Sequence, residues 1–122
     1  MSLLALVVDD SMLIRHMLRR FLENRGFSVE TAADGAEALA LLKTARPQLI
    51  LTDIKMPNVD GHKLIQAVSA DPELSTVPVV ILAAKPLPGE STEMRANSVI
   101  YKDFNIETQL NLTLDVLFPT VV

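Results

Sequence analysis

Short apolar runs that stop at charged residues constrain the fold of this 122-residue chain more than any other feature. The run over residues 3–8 stops at Asp9 and Asp10, and the run over residues 49–52 stops at Asp53. Short continuous apolar runs are typical of buried parallel strands. An open parallel sheet binds its ligands at the carboxyl ends of its strands, so the three aspartates are expected to meet at one edge.

Two lysines follow later apolar runs in the same way. The run over residues 77–84, broken by Pro78, stops at Lys85, and residues 99–101 stop at Lys102. The pattern therefore predicts three carboxylates and an ammonium group at one sheet edge. Crowded carboxylates repel each other and need a cation, which indicates a hard metal ion such as Mg²⁺.

Composition excludes several other classes of protein. Hydrophobic residues make up 49% of the chain, too many for a disordered segment, and the length predicts a single domain over residues 1–122. The net charge of −4 argues against direct nucleic-acid binding. There are no cysteines and two histidines, which argues against thiolate or zinc sites. Without a signal peptide or an apolar run of about 20 residues, we expect a soluble, cytoplasmic domain that does not contact a membrane.

Strand and helix periodicity alternate along the chain. Ser11, Asp34 and Asp60 are placed as N-caps of three helices, and Asn105 opens a last helix. Two prolines and a glycine in residues 85–89 oppose a helix, so the helix between the fourth and fifth strands should be short or frayed. Five βα units predict an α/β fold, a doubly wound five-stranded parallel sheet with helices on both faces.

Four motifs together resemble a known family, the receiver domain of two-component response regulators. They are Val-Val-Asp-Asp-Ser at residues 7–11, Thr-Asp-Ile-Lys-Met-Pro at residues 52–57, Asp60-Gly61 and the late Lys102. The resemblance covers the whole chain in the right order and spacing. It implies a flavodoxin-like sheet with strand order 2-1-3-4-5.

The resemblance also implies a role for each site residue. Asp53 would be the phosphoacceptor, and Lys102 would contact the phosphate as a compact positive charge. Asp9 and Asp10 would hold Mg²⁺ together with Asp53 and the backbone carbonyl of Lys55. The phosphoryl group would come from a phosphohistidine on a histidine kinase or a histidine phosphotransfer protein, and the downstream target is not indicated.

The chain departs from the family pattern at three positions. The usual Ser or Thr at the end of the fourth strand is replaced by Ala83, which offers no hydroxyl. The switch aromatic, three residues before the lysine, is replaced by Val99, and we expect Tyr101 to point to the opposite face of the strand. Asp103 replaces the proline that usually follows the lysine, so a trans peptide and a shifted Lys102 are expected. The usual relay from hydroxyl to aromatic cannot operate in this chain.

Two surfaces are candidates for partner binding. The first is a stripe at helical spacing on the outer side of the first helix: Arg15, His16, Arg19 and Arg20. It suits a docking face for the phosphodonor, and equally a plain solvated face. Leu112 and Val116 lie off the inward stripe of the last helix, either as a homodimer or partner face or as scattered surface residues.

Three functions remain open on the sequence alone. The first is a phosphorelay receiver that signals through a partner surface and is not an enzyme in its own right. The second is a receiver-like interaction module that is never phosphorylated. The third is an enzyme that hydrolyses small phosphate esters through an aspartyl phosphate, against which stands the lack of a substrate-binding insertion. Flavin binding is less favoured, because no phosphate-cradling loop follows the first strand.

Overall fold

The computed structural model describes residues 3–54, 60–84, 98–102 and 105–119. Within them lie five strands: β1 (Leu3–Val8), β2 (Phe27–Ala32), β3 (Leu49–Asp53), β4 (Val79–Ala83) and β5 (Ser98–Tyr101). All neighbouring strands pair in parallel in the order β2-β1-β3-β4-β5, which confirms the predicted sheet. The same residues form four helices: α1 (Met12–Asn24), α2 (Gly35–Leu42), α3 (Gly61–Ala70) and α4 (Ile106–Leu117).

Some sequence predictions fall outside the described residues. They concern the backbone carbonyl of Lys55, the end of the fourth apolar run at Lys85, the short or frayed helix in residues 85–97, and the peptide that leads to Asp103.

Alternation along each strand divides the hydrophobic core between the two faces of the sheet. In β1, Ala5 and Val7 face a first core, which α1 and α4 cover, while Leu6 and Val8 face a second core under α2 and α3. All four residues are at most 2% exposed. Strands buried on both faces explain why the apolar runs are continuous. The prediction of helices on both faces is confirmed.

Side-chain caps fix where three of the helices begin. Ser11 Oγ accepts from the Ile14 N–H at 3.3 Å, at the start of α1. Asp34 and Asp60 accept from backbone N–H groups in the same way at the starts of α2 and α3. These contacts confirm the predicted N-caps. Asn105 precedes α4 in a left-handed conformation, φ 38°, without a side-chain cap hydrogen bond.

In the part of the chain that the structure describes, no helix combines the length and the apolar character needed to cross a membrane.

Candidate functional site

Three carboxylates converge where β1 and β3 end, and we call Asp9, Asp10 and Asp53 the acidic cluster. One oxygen from each residue lies within 4.8 Å of the others. Asp9 is fully buried, Asp53 is partly buried and Asp10 is exposed, so the cluster opens to solvent on one side. It forms because β1 and β3 are neighbours in a parallel sheet, which brings their carboxyl ends together. Carboxylate oxygens are the ligands that Mg²⁺ prefers.

Asp9 is held by the backbone around it. Its backbone N–H donates to the Ala32 carbonyl at 3.1 Å, and its Oδ1 accepts from the Ser11 N–H at 2.9 Å. The Arg15 guanidinium donates to the Asp9 carbonyl at 2.7 Å, so Arg15 supports the site rather than only the outer surface of α1. The second carboxylate oxygen, Oδ2, is buried and has no well-aligned hydrogen-bond donor among the described residues. A cation is needed to balance it.

Lys102 supplies positive charge to this oxygen and to Asp53. Its Nζ lies 2.6 Å from Asp9 Oδ2 and donates to Asp53 Oδ2 at 2.8 Å. The ammonium group therefore joins the ends of β1 and β3, although Lys102 follows β5. Lys102 thus reaches both carboxylates, and the displacement expected from Asp103 stays a prediction.

Burial and pairing act in opposite directions on the charges of this site. Burial raises the pKa of Asp9, and the nearby Lys102 ammonium group and the Ser11 N–H only partly offset that increase. Burial alone would lower the pKa of Lys102, but the hydrogen bond to Asp53 and the ion pair with Asp9 raise it overall. Lys102 is therefore fully charged at neutral pH, whereas ionising the Asp9 carboxyl costs free energy because it is buried.

The backbone beneath Asp53 is fixed by the start of α3. Asp53 Oδ1 accepts from the Ile54 N–H at 2.7 Å, and the Thr52 hydroxyl donates to the Asp53 carbonyl at 2.8 Å. The Gly61 N–H donates to the Ile54 carbonyl at 2.8 Å. A Cβ on Gly61 would lie 2.3 Å from the Asp53 carbonyl oxygen, so no larger residue fits without movement. The sequence motif identifies Gly61 but not this contact with the backbone of Asp53.

Comparison with known proteins gives the family. The family model of the response regulator receiver domain matches residues 5–113. The chain belongs to that family. Response regulator Rre1 of Synechocystis is 38% identical over 86 residues, which is 70% of this chain and 37% of the relative. Response regulator MprA of Mycobacterium bovis is 34% identical over 113 residues, or 90% of this chain and 48% of the relative.

A solved structure supports the same family assignment. The chemotaxis response regulator CheY4 of Vibrio cholerae matches with a TM-score of 0.87 and 36% identity, covering 97% of this chain and all of that one. The receiver spans less than half the length of the two curated relatives named above.

The positions at which the sequence is predicted to depart from the family pattern lie near the ends of β4 and β5. Ala83 is buried, pairs with Tyr101 in the sheet register and offers no side-chain hydrogen bond. Val99 and Tyr101 both pack against the second core, although the sequence analysis predicts that Tyr101 points to the opposite face. That prediction is wrong, because residues two apart on a strand share a face.

The outer side of α1 carries the predicted basic stripe and two apolar residues that the sequence analysis does not single out. His16, Arg19 and Arg20 are exposed. Met12 and Leu13 are each 75% exposed and begin two residues after Asp10. Their exposure could have been expected from the helical spacing, because the inward positions of α1 fall on other residues.

The two apolar residues predicted on the surface of the last helix are also exposed. Leu112 is 65% and Val116 is 78% exposed on α4. They lie four residues apart, and therefore on one side of the helix.

Proposed function

We propose that this receiver accepts a phosphoryl group on Asp53 and acts as the acceptor in a two-component phosphorelay. The observation that carries the proposal is the position of the Asp53 carboxylate, which has an oxygen within 4.8 Å of oxygens of Asp9 and Asp10 and another 2.8 Å from the Lys102 ammonium. A carboxylate at the edge of a site with fixed positive charge is a competent phosphoryl acceptor.

In the proposed transfer, the Asp53 carboxylate is the nucleophile. Asp53 attacks phosphorus, the P–N bond of the phosphohistidine breaks, and its electron pair returns to the imidazole nitrogen as the new P–O bond forms. Lys102 lies close enough to Asp53 to stabilise negative charge on the arriving phosphoryl oxygens. The Ile54 N–H fixes the other carboxylate oxygen, which orients the nucleophile.

The acidic cluster fits a magnesium ion. Its ligand atoms are all oxygens, and three carboxylates share the ammonium group of Lys102, which leaves negative charge for a cation to balance. Asp9, Asp10 and Asp53 would hold the ion, with the Lys55 carbonyl as a further expected ligand. When bound, Mg²⁺ would neutralise charge between the acids and the phosphoryl group.

The phosphodonor is expected to dock on the outer side of α1. Met12 and Leu13 expose apolar side chains in the first turn of α1, just after Asp10 in the chain, and the outer surface of the same helix also carries His16 and Arg19. This surface suits a donor with an apolar centre and an acidic rim. A histidine kinase or a histidine phosphotransfer protein would supply it, and we expect the exchange in the cytoplasm.

A second candidate function is a receiver-like interaction module without phosphorylation. It is favoured by Ala83, which offers no hydroxyl to a phosphate, and by Lys102, which already neutralises two of the acids. Hydrolysis of small phosphate esters as an enzyme is less favoured, because no feature of the described residues selects such a substrate.

Binding of beryllium fluoride, a phosphoryl analogue, tests the proposal. Amide NMR signals around Asp53 and Asp10 should shift when beryllium fluoride and Mg²⁺ are added together, and should shift much less with either alone. The variant Asp53→Asn should not respond to the analogue. A wild-type protein without a response would overturn the phosphoacceptor function and favour the interaction module.

A further inference from the structure

A glutamine side chain on α4 pairs with the backbone of β5. The Tyr101 N–H donates to Gln109 Oε1 at 3.0 Å, and Gln109 Nε2 donates to the Tyr101 carbonyl at 2.9 Å. The carboxamide thus makes both hydrogen bonds that another strand would make to one residue. Because β5 is at the edge of the sheet that the described residues form, none of the described strands lies on this side of Tyr101.

The opposite side of the same peptide is held by the sheet. The Lys102 N–H donates to the Ala83 carbonyl at 2.8 Å, at the end of β4. The peptide between Tyr101 and Lys102 is therefore fixed from both directions, by β4 on one side and by Gln109 on the other. The Lys102 side chain begins at this fixed point.

The glutamine is itself carried by an anchored helix. Leu110 and Leu114 of α4 are fully buried in the first core. On the other side of α4, Arg25 donates to Asn111 Oδ1 at 2.7 Å and pairs with Asp115. The carboxamide of Gln109 therefore projects from a rigid support.

A lysine side chain is long and flexible, so the position of its ammonium group depends on where its backbone is held. The Lys102 ammonium group contacts two carboxylates from different strands, at 2.6 and 2.8 Å. The sequence has Asp103, not a proline ring, after Lys102 to restrict this backbone. Without Gln109, the contact to β4 would be left to hold this peptide, and the side of Tyr101 that faces away from β4 could move.

We propose that Gln109 is a positioning residue that holds Lys102 against Asp53 and Asp9. The effect of Gln109 on phosphoryl transfer rests on the proposed phosphoacceptor function. Its effect on the position of Lys102 does not depend on that function. Removing the carboxamide should loosen the Tyr101–Lys102 peptide and let the ammonium group leave the carboxylates.

The experiment compares wild type with Gln109→Met and Gln109→Glu. Methionine has similar length and helix propensity but no carboxamide, and glutamate keeps the oxygen that accepts from the Tyr101 N–H. Thr108→Met, at an exposed neighbouring position on α4, is the matched control. Gln109→Glu retains one contact and so provides the second test if Gln109→Met does not fold.

Competitive acetylation of lysines measures the position of Lys102 without any phosphorylation. The reactivity of Lys102 is expressed relative to Lys43, which is exposed. We expect the reactivity of Lys102 to rise about tenfold in Gln109→Met, because this variant loses about two ordinary hydrogen bonds. The rise should be smaller in Gln109→Glu. Thr108→Met should match wild type. Unchanged Lys102 reactivity in Gln109→Met, even with faster exchange of the Tyr101 amide, would overturn the proposal and leave Gln109 a structural role only.

Phosphorylation kinetics give the second readout. With a small acyl phosphate, Gln109→Met should lower the maximal rate about threefold to tenfold without raising KM, because Lys102 acts on the phosphoryl group in transit. An unchanged maximal rate would contradict the proposal. If wild type is not phosphorylated at all, the phosphoacceptor function fails, and acetylation alone decides the role of Gln109.

Discussion

Two parts of one sheet edge differ in how much of the receiver pattern they keep. At the acceptor end, where β1 and β3 finish, the acidic cluster is complete and its backbone is fixed by α3. At the relay end, where β4 and β5 finish, lie Ala83 and Val99, which the resemblance predicts to stand in place of a hydroxyl and an aromatic ring. Lys102 leaves the relay end and reaches the acceptor end.

This difference suggests that accepting a phosphoryl group and reporting it are separable tasks. The acceptor end needs charges at fixed distances, which the strand register and Gly61 supply. At the relay end, Ala83 has no hydroxyl with which to contact a phosphoryl group. A receiver of this kind is expected to be phosphorylated and to transmit the change by a different route.

The largest effect is expected from crowding the acceptor end. Gly61→Ala places a Cβ 2.3 Å from the Asp53 carbonyl oxygen, so the start of α3 or the end of β3 must move. We expect the free energy of unfolding, measured by urea titration, to fall by about 3 kcal/mol. Gln66→Ala, at an exposed position on α3, should change it by less than about 0.5 kcal/mol. Equal stability of Gly61→Ala and wild type would show that this backbone is not tightly packed.

The next effect concerns the relay end. Ala83→Thr restores a hydroxyl that can donate to the phosphoryl group, and a charge-assisted hydrogen bond contributes about 1.5–3 kcal/mol. Affinity for beryllium fluoride with Mg²⁺ should therefore rise tenfold or more, as measured by NMR titration. Ala83→Val is the matched control, since it adds similar bulk without the hydroxyl. If threonine and valine at position 83 change the affinity equally, the missing hydroxyl does not account for the difference between the acceptor end and the relay end.

How far the sequence predicts this structure depends on whether the signal is local. The strand ends and the caps Ser11, Asp34 and Asp60 are local patterns, and the structure bears them out. The meeting of Asp9 with Asp53 follows from the rule for parallel sheets, although it joins residues that are far apart in sequence.

The contacts around Lys102 could not be predicted in this way. A glutamine on an amphipathic helix is ordinarily a surface residue, and no periodicity shows that Gln109 pairs with the edge of β5. Tyr101 lies on the same face of β5 as Val99, as the two-residue repeat of a strand requires, so the opposite face predicted for Tyr101 is wrong.

A smaller effect is expected from the charge on Asp9. Burial holds its pKa above the usual 3.8 in the folded protein, so folding is most favoured while Asp9 is protonated. This contribution is complete below about pH 4 and is lost as the pH rises through the folded-state value. Asparagine does not ionise, so the stability of Asp9→Asn relative to wild type should increase from pH 4 to pH 7.

Urea unfolding in the presence of a chelator would measure this change, with Glu30→Gln, at an exposed position on β2, as the control. A stability difference between Asp9→Asn and wild type that stays constant with pH would contradict the assigned cost of charging Asp9.

The smallest effect on stability is expected on α1. Arg19 pairs with Glu23 at 3.4 Å, with both side chains about half exposed, so Arg19→Ala should change the unfolding free energy by less than about 0.5 kcal/mol. Phosphoryl transfer from a protein donor should nevertheless slow several-fold, while transfer from a small acyl phosphate stays unchanged. Arg46→Ala, which removes an ion pair with Glu73 away from α1, is the control. Equal slowing in both variants would argue against docking on α1.

The most direct test of the account is the intact mass of the protein after incubation with Mg²⁺ and a small acyl phosphate. The account predicts that wild type gains the mass of one phosphoryl group, that Asp53→Asn gains none, and that omission of Mg²⁺ greatly reduces the gain. If wild type gains no mass from this donor or from a phosphorylated histidine kinase, the acceptor end is not a working phosphoacceptor. The central claim would then be contradicted.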